Sequence, residues 1–84
     1  MLYRILTEKT KINLTPILEK YYDGYTVLNA KGYWKGVPEK SIVIEIVTHG
    51  NEDTNIRNLA VDIRNANKQE CVLVQRIKNV QWFI

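Results

Sequence analysis

A chain of 84 residues with a single cysteine leaves room for one domain and excludes an intramolecular disulfide framework. Its net charge of +3 comes from twelve basic and nine acidic residues spread along the sequence without a block of either sign, which is not the concentrated footprint of a nucleic-acid binder. No apolar run approaches the roughly 18 residues that cross a bilayer, and no basic segment runs into an apolar one at the start of the chain. The expectation is a soluble, cytoplasmic protein with Cys71 reduced.

In chain order, residues 2–7 (LYRILT) are β-prone and too short for a helix, and the charged run 8–11 reads as a loop or a frayed helix start. Thr15-Pro16 matches an N-cap followed by a first-turn proline. Leu14, Ile17, Leu18, Tyr21 and Tyr22 then form one apolar stripe, and Asp23-Gly24 ends the helix. Residues 25–30 and 41–47 are two further strands, the latter with Ile42, Ile44 and Ile46 on one face and Val43, Glu45 and Val47 on the other. Residues 48–52 (THGNE) are loop chemistry, and Asp53 is the expected N-cap of a second helix. That helix carries the stripe Ile56, Leu59, Ala60, Ile63 and Ala66 and closes at Asn67, which tolerates a left-handed backbone. Residues 70–77 alternate Cys71, Leu73, Gln75 and Ile77 against Val72, Val74 and Arg76 as a fourth strand.

Strand, helix, strand, strand, helix, strand, with right-handed crossovers, predicts a ferredoxin-like α+β sandwich: a four-stranded antiparallel sheet with both helices on one face. The other sheet face, carrying Val43, Val47 and one set of fourth-strand side chains, is too apolar to stay bare, so the chain is expected to associate with copies of itself. The apolar stretch 80–84 (VQWFI) is expected to pack across a subunit boundary or, within its own chain, to add a fifth strand or plug the open face.

The connection 31–40 holds the candidate ligand-binding residues. Lys31, Lys35 and Lys40 offer charge for phosphate or carboxylate, Gly32 and Gly36 allow close backbone approach, and Tyr33 and Trp34 offer flat faces for stacking. The bland reading of the same residues is a turn whose aromatics pack on a neighbouring subunit. Gly24-Tyr25-Thr26-Val27, followed by Lys31-Gly32-Tyr33-Trp34-Lys35-Gly36 and the strand 41–47, resembles the nitrogen-regulatory PII-like proteins, and residues 70–77 resemble the closing strand of the related CutA-like proteins. The resemblance implies a homotrimer with ligands, often adenine nucleotides, in clefts between subunits near the base of a T-loop. Two departures stand out: residues 29–41 leave space for only a stunted T-loop, and 65–69 (NANKQ) replace the glycine-rich turn that would hold a triphosphate.

Other chemistry is thin. Lys31-Gly32-Tyr33 opens like the RNA-recognition hallmark K/R-G-F/Y-G/A-F-V-x-F/Y but does not continue it, and it follows the second strand, not the third, so nucleic acid is not the expected partner. His49 among loop carboxylates is a poor metal signal, Cys71 on a strand reads as buried and inert, and Glu52-Asp53 suit a helix N-terminus. The resulting expectation is a non-catalytic oligomeric protein, without cofactor or metal, that regulates or sequesters a small anionic ligand, possibly a nucleotide, at intersubunit clefts near 31–40. The competing expectation is an interaction or inhibitor module, accessory or virus-encoded, that inserts the same loop into a protein target.

Overall fold

Six elements follow one another in the computed structural model, which describes residues 1–78: β1 (Leu2–Glu8), α1 (Thr15–Tyr21), β2 (Thr26–Trp34), β3 (Val37–Val47), α2 (Asp53–Asn67) and β4 (Leu73–Ile77). The strands form one sheet in the order β2-β3-β1-β4, with every neighbouring pair antiparallel. This is the ferredoxin-like arrangement that the element order predicts. The expected role of 80–84 falls outside the described residues.

Register explains why the two sheet faces differ. Ile5 stands opposite Ile44 and Val74, and Ile44 opposite Val27, so these four form one lateral row on the helical side. Tyr3, Ile5, Ile44 and Ile46 on this side pack with Leu14, Leu18, Ile56, Leu59 and Ile63 into the single core, each nearly inaccessible to water. Burying one such side chain stabilises the fold by roughly 1.5–3 kcal/mol, so this layer dominates the energetics. The alternate residues form rows on the open side: Leu28, Val43, Leu6 and Leu73 run across all four strands, and Val47, Leu2 and Ile77 across three. Between those two apolar rows lies a polar one, in which Arg4 Nε donates to Glu45 Oε2 at 2.8 Å. Leu28, Val47 and Leu73 remain about half exposed in the isolated chain.

The helices keep the predicted stripes but not the predicted caps. Thr15 is the first helical residue of α1, not its cap; Asn13 Oδ1 accepts from the Thr15 amide at 3.1 Å instead. Asp53 likewise begins α2 with Glu52 at the cap position, where its carboxylate still favours the positive end of the helix. Lys68, not Asn67, takes the left-handed backbone (φ 55°), and its amide returns to the Arg64 and Asn65 carbonyls. Asn67 is used elsewhere: its side-chain amide donates to the Glu8 carbonyl and its oxygen accepts from Thr10 Oγ1, tying the end of α2 to the segment after β1.

The largest departure is at 31–40, which is not a loop. β2 and β3 continue in register through Lys31–Lys40, Gly32–Glu39, Tyr33–Pro38 and Trp34–Val37, leaving only Lys35 and Gly36 as the turn. Both have positive φ (51° and 78°), as a two-residue hairpin turn requires. Since β1 pairs with β3 only as far as Ser41, the hairpin extends past the sheet as a two-stranded arm.

Candidate functional site

The arm spreads the expected ligand-binding residues out instead of gathering them. Tyr33 and Trp34 are about two-thirds exposed, and by the alternation of the strand they lie on opposite sides of the ribbon. Lys35 Nζ sits 5.8 Å from the Trp34 ring centroid, so part of its charge is spent on that ring. Lys31 and Lys40 stand directly opposite each other on the helical side. Gly36 serves the turn, whereas Gly32 serves packing, since a Cβ there would come within 3.1 Å of Ser41 Oγ. A pocket bounded by 31–40 is therefore not what the hairpin forms.

Lys31 and Gly32 do, however, border a depression of about 340 Å³ at the base of the arm on the open side. Its apolar part is Leu6, Val43 and Leu73; its polar part includes Ser41, Gln69 and two carboxylates, Glu8 and Glu39. Alternation places both acids on the open face, where Glu8 pairs with Ser41 and Glu39 with Gly32. Cys71 also borders it and is exposed, contrary to the expected burial, because β4 begins only at Leu73. At its edge Thr7 Oγ1 donates to Gln69 Oε1 and Asn67 Nδ2 donates to the same oxygen, which fixes the Gln69 side chain. Two carboxylates beside an apolar floor suit a ligand that carries positive charge.

A second polar constellation, not legible in the local sequence, joins β1, α2 and β4. The buried Tyr3 hydroxyl donates to Asp53 Oδ1 at 2.7 Å and accepts from the Glu52 amide at 2.9 Å. Arg76 Nη1 donates to the other Asp53 oxygen at 2.5 Å. Beside this, Tyr22 OH donates to Glu52 Oε1 and accepts from Asn55 Nδ2. The Tyr3 hydrogen bond, helped by the Arg76 charge, holds the Asp53 carboxyl below its ordinary range. Burial above all, then Asp53, pushes the Tyr3 hydroxyl up; burial does the same for Tyr22, and the bond to Asp62 does it for Tyr21.

Each of these tyrosines has a folded-state value above its unfolded one, so the stabilisation it gives is complete below about pH 10 and is lost as pH rises through the folded value. Urea midpoints are expected to hold between pH 7 and 9 and to fall beyond about 10. Tyr3→Phe, which leaves the Glu52 amide and Asp53 without their partner, is expected to cost about 1–3 kcal/mol at pH 7 and to flatten the alkaline fall. An unchanged alkaline profile in that variant refutes the role assigned to Tyr3.

Among the described residues no group of three or more His, Cys, Asp or Glu converges, His49 lies exposed in its loop, and no helix is long and apolar enough to cross a membrane.

No family model matches the chain, and no curated protein matches it, so the resemblance to PII-like and CutA-like proteins finds no support there. Among solved structures the fold is similar to that of a phage SAM lyase in its apo state, with a TM-score of 0.59 at 17% identity over 99% of this chain and 91% of the lyase. That likeness shows a shared fold, and it corrects the expectation of a non-catalytic protein, which rested on the lack of a catalytic motif and on the PII-like resemblance, because a protein with the same fold is an enzyme.

Proposed function

We propose that this protein is a lyase-type enzyme that binds SAM or a closely related adenosyl compound at the open-face depression, completed when copies of the chain cover one another's open sheet faces. The observation that carries this reading is the fold shared almost end to end with a phage SAM lyase. The local chemistry supports it. SAM bears a sulfonium, an ammonium and a carboxylate on an adenosine body; Glu8 and Glu39 suit the cationic groups, and Leu6, Val43 and Leu73 suit the apolar parts. Trp34, on the open side of the ribbon, is placed to reach past its own sheet, so a neighbouring copy can use it to stack on the adenine ring. Lys31, which borders the depression, is left for the ligand's carboxylate and Lys35, at the tip, for the subunit contact, whereas Lys40 faces the helical side; Gly32 keeps the depression open. Three copies is the number that the PII-like resemblance implies.

Incubating the purified chain with SAM tests the reading. A raised melting temperature together with consumption of SAM, followed by chromatography, is expected. Glu8→Gln with Glu39→Gln should weaken both. A melting temperature indifferent to SAM and an undiminished SAM peak sink the assignment.

A second reading is favoured by the exposure of Tyr33 and Trp34, 68% and 66%: the arm inserts into a protein target. Trp34→Ala separates the two readings, since an arm built for a protein target can lose its aromatics without any change in SAM turnover.

A further inference from the structure

Among the described residues the two helices do not cover all four strands, and the part they leave lies over β4. Val74, on the helical side by register with Ile5, is still 38% exposed there. The space between α2 and β4 is a groove of about 440 Å³, on the opposite side of the sheet from the depression proposed for SAM. Its floor is apolar, formed by Ile56, Ala60, Val61, Val72 and Val74.

The walls carry three guanidinium groups, Arg57, Arg64 and Arg76, against one carboxylate, Asp53. Asp53 is already taken by Tyr3 and Arg76. Arg57 and Arg64 are two helical turns apart, roughly 10 Å along α2, and neither forms an ion pair or side-chain hydrogen bond with any of the described residues. Arg64 differs from Arg57 in being half-buried. A cation partly withdrawn from water, without a compensating acid, lowers its free energy by taking up an anion.

We infer that this groove binds an amphiphilic anion, a carboxylate or phosphate on an apolar body, with its head group on Arg64 and its body along Val61, Val72 and Val74. Charge complementarity selects the head, since the groove is net positive even after Asp53 is counted. The floor selects the body, because a fully hydrated small anion gains nothing from the valines. A volume of about 440 Å³ lies within the usual range for small-molecule sites. Arg57, exposed and two turns away, contributes mainly through its field and is the more easily screened of the two.

The test is a titration of the isotopically labelled full chain with decanoate, decyl phosphate and decanol, each below its micellar concentration, followed by amide chemical shifts. Both anions are expected to shift Val61, Arg64, Val72 and Val74, with decanol at least about tenfold weaker. Arg64→Gln, with an unchanged circular dichroism spectrum, should weaken both anions about tenfold or more, and Arg57→Gln about two- to threefold. Whichever anion binds more tightly names the head group. Shifts centred on Leu28, Val43 and Leu73, equal binding of decanol, or full affinity in Arg64→Gln overturn the proposal. SAM turnover plays no part in this readout, so failure here leaves the proposed activity standing, and the reverse also holds.

Discussion

If the proposed assembly holds, the unaltered chain is expected to scatter light as a multiple of 9.8 kDa and Leu28→Glu combined with Val47→Glu as a monomer of that mass. Both side chains lie on the open face, in its two apolar rows, and both are about half exposed in the isolated chain. Neither borders the depression holding Glu8 and Glu39, so the substitutions leave that chemistry in place. A carboxylate carried into a closed interface without a partner costs several kcal/mol. Two of them should reduce the association constant by about a thousandfold or more, since each 1.4 kcal/mol is a factor of ten. The folded chain itself should change little, because its own core contacts neither residue. Loss of SAM turnover in this monomer, with Glu8 and Glu39 untouched, is the expected companion result. A doubly substituted chain of unchanged mass, or an unaltered chain that is itself monomeric, removes assembly from the proposed mechanism.

Ile44→Ala should be the most damaging single truncation. Ile44 is fully buried and stands between Ile5 and Val27 under both helices. Removing its outer atoms loses transfer free energy and opens a cavity that a small core cannot close, at a cost of about 2–5 kcal/mol. Domains are stable by roughly 0.05–0.15 kcal/mol per residue, so the loss is a large share of the total. The melting temperature should fall by roughly 10–30 °C. Val43→Ala, one residue earlier but on the open side, should cost the monomeric double variant well under half as much. Equal costs at the two positions contradict the assignment of faces.

Much of this architecture was legible because burial writes a period into the chain. The alternation of Ile42, Ile44 and Ile46 with Val43, Glu45 and Val47 states which side of β3 meets the helices, and the register agrees. The stripe Ile56, Leu59, Ala60 and Ile63 did the same for α2. The arm is hidden in the sequence because Lys31-Gly32 and Lys35-Gly36 both look like punctuation, whereas only the second pair turns the chain. The β-prone Tyr33, Trp34 and Val37 pull the first glycine into a strand, and side-chain pairing across the ribbon outweighs its local preference. Helix caps slipped by one residue because several neighbouring polar groups can satisfy the same amide.

The Tyr3, Asp53 and Arg76 cluster had a different kind of invisibility. Its members are 50 and 23 residues apart in sequence, and no periodicity links them. One signal was available in principle: a tyrosine at an inward position of a strand needs a partner for its hydroxyl, and the acids at the start of α2 are close to hand in this topology. The carboxylates Glu8 and Glu39 were similarly hidden, since only the pairing of β1 with β3, and of β3 with β2, brings them to one depression.

The ion pair of Arg4 with Glu45 gives the open face a directional grain. It crosses the middle of an otherwise greasy surface, so whatever is laid there must present hydrogen-bonding atoms along that one line or leave two charges stranded from water. Sliding a neighbour along the strands by one row, two residues or roughly 6.6 Å, puts hydrocarbon over the charges. Stickiness alone tolerates many poses; a charged stripe across it tolerates few, and so it guards against runaway stacking as much as it permits union.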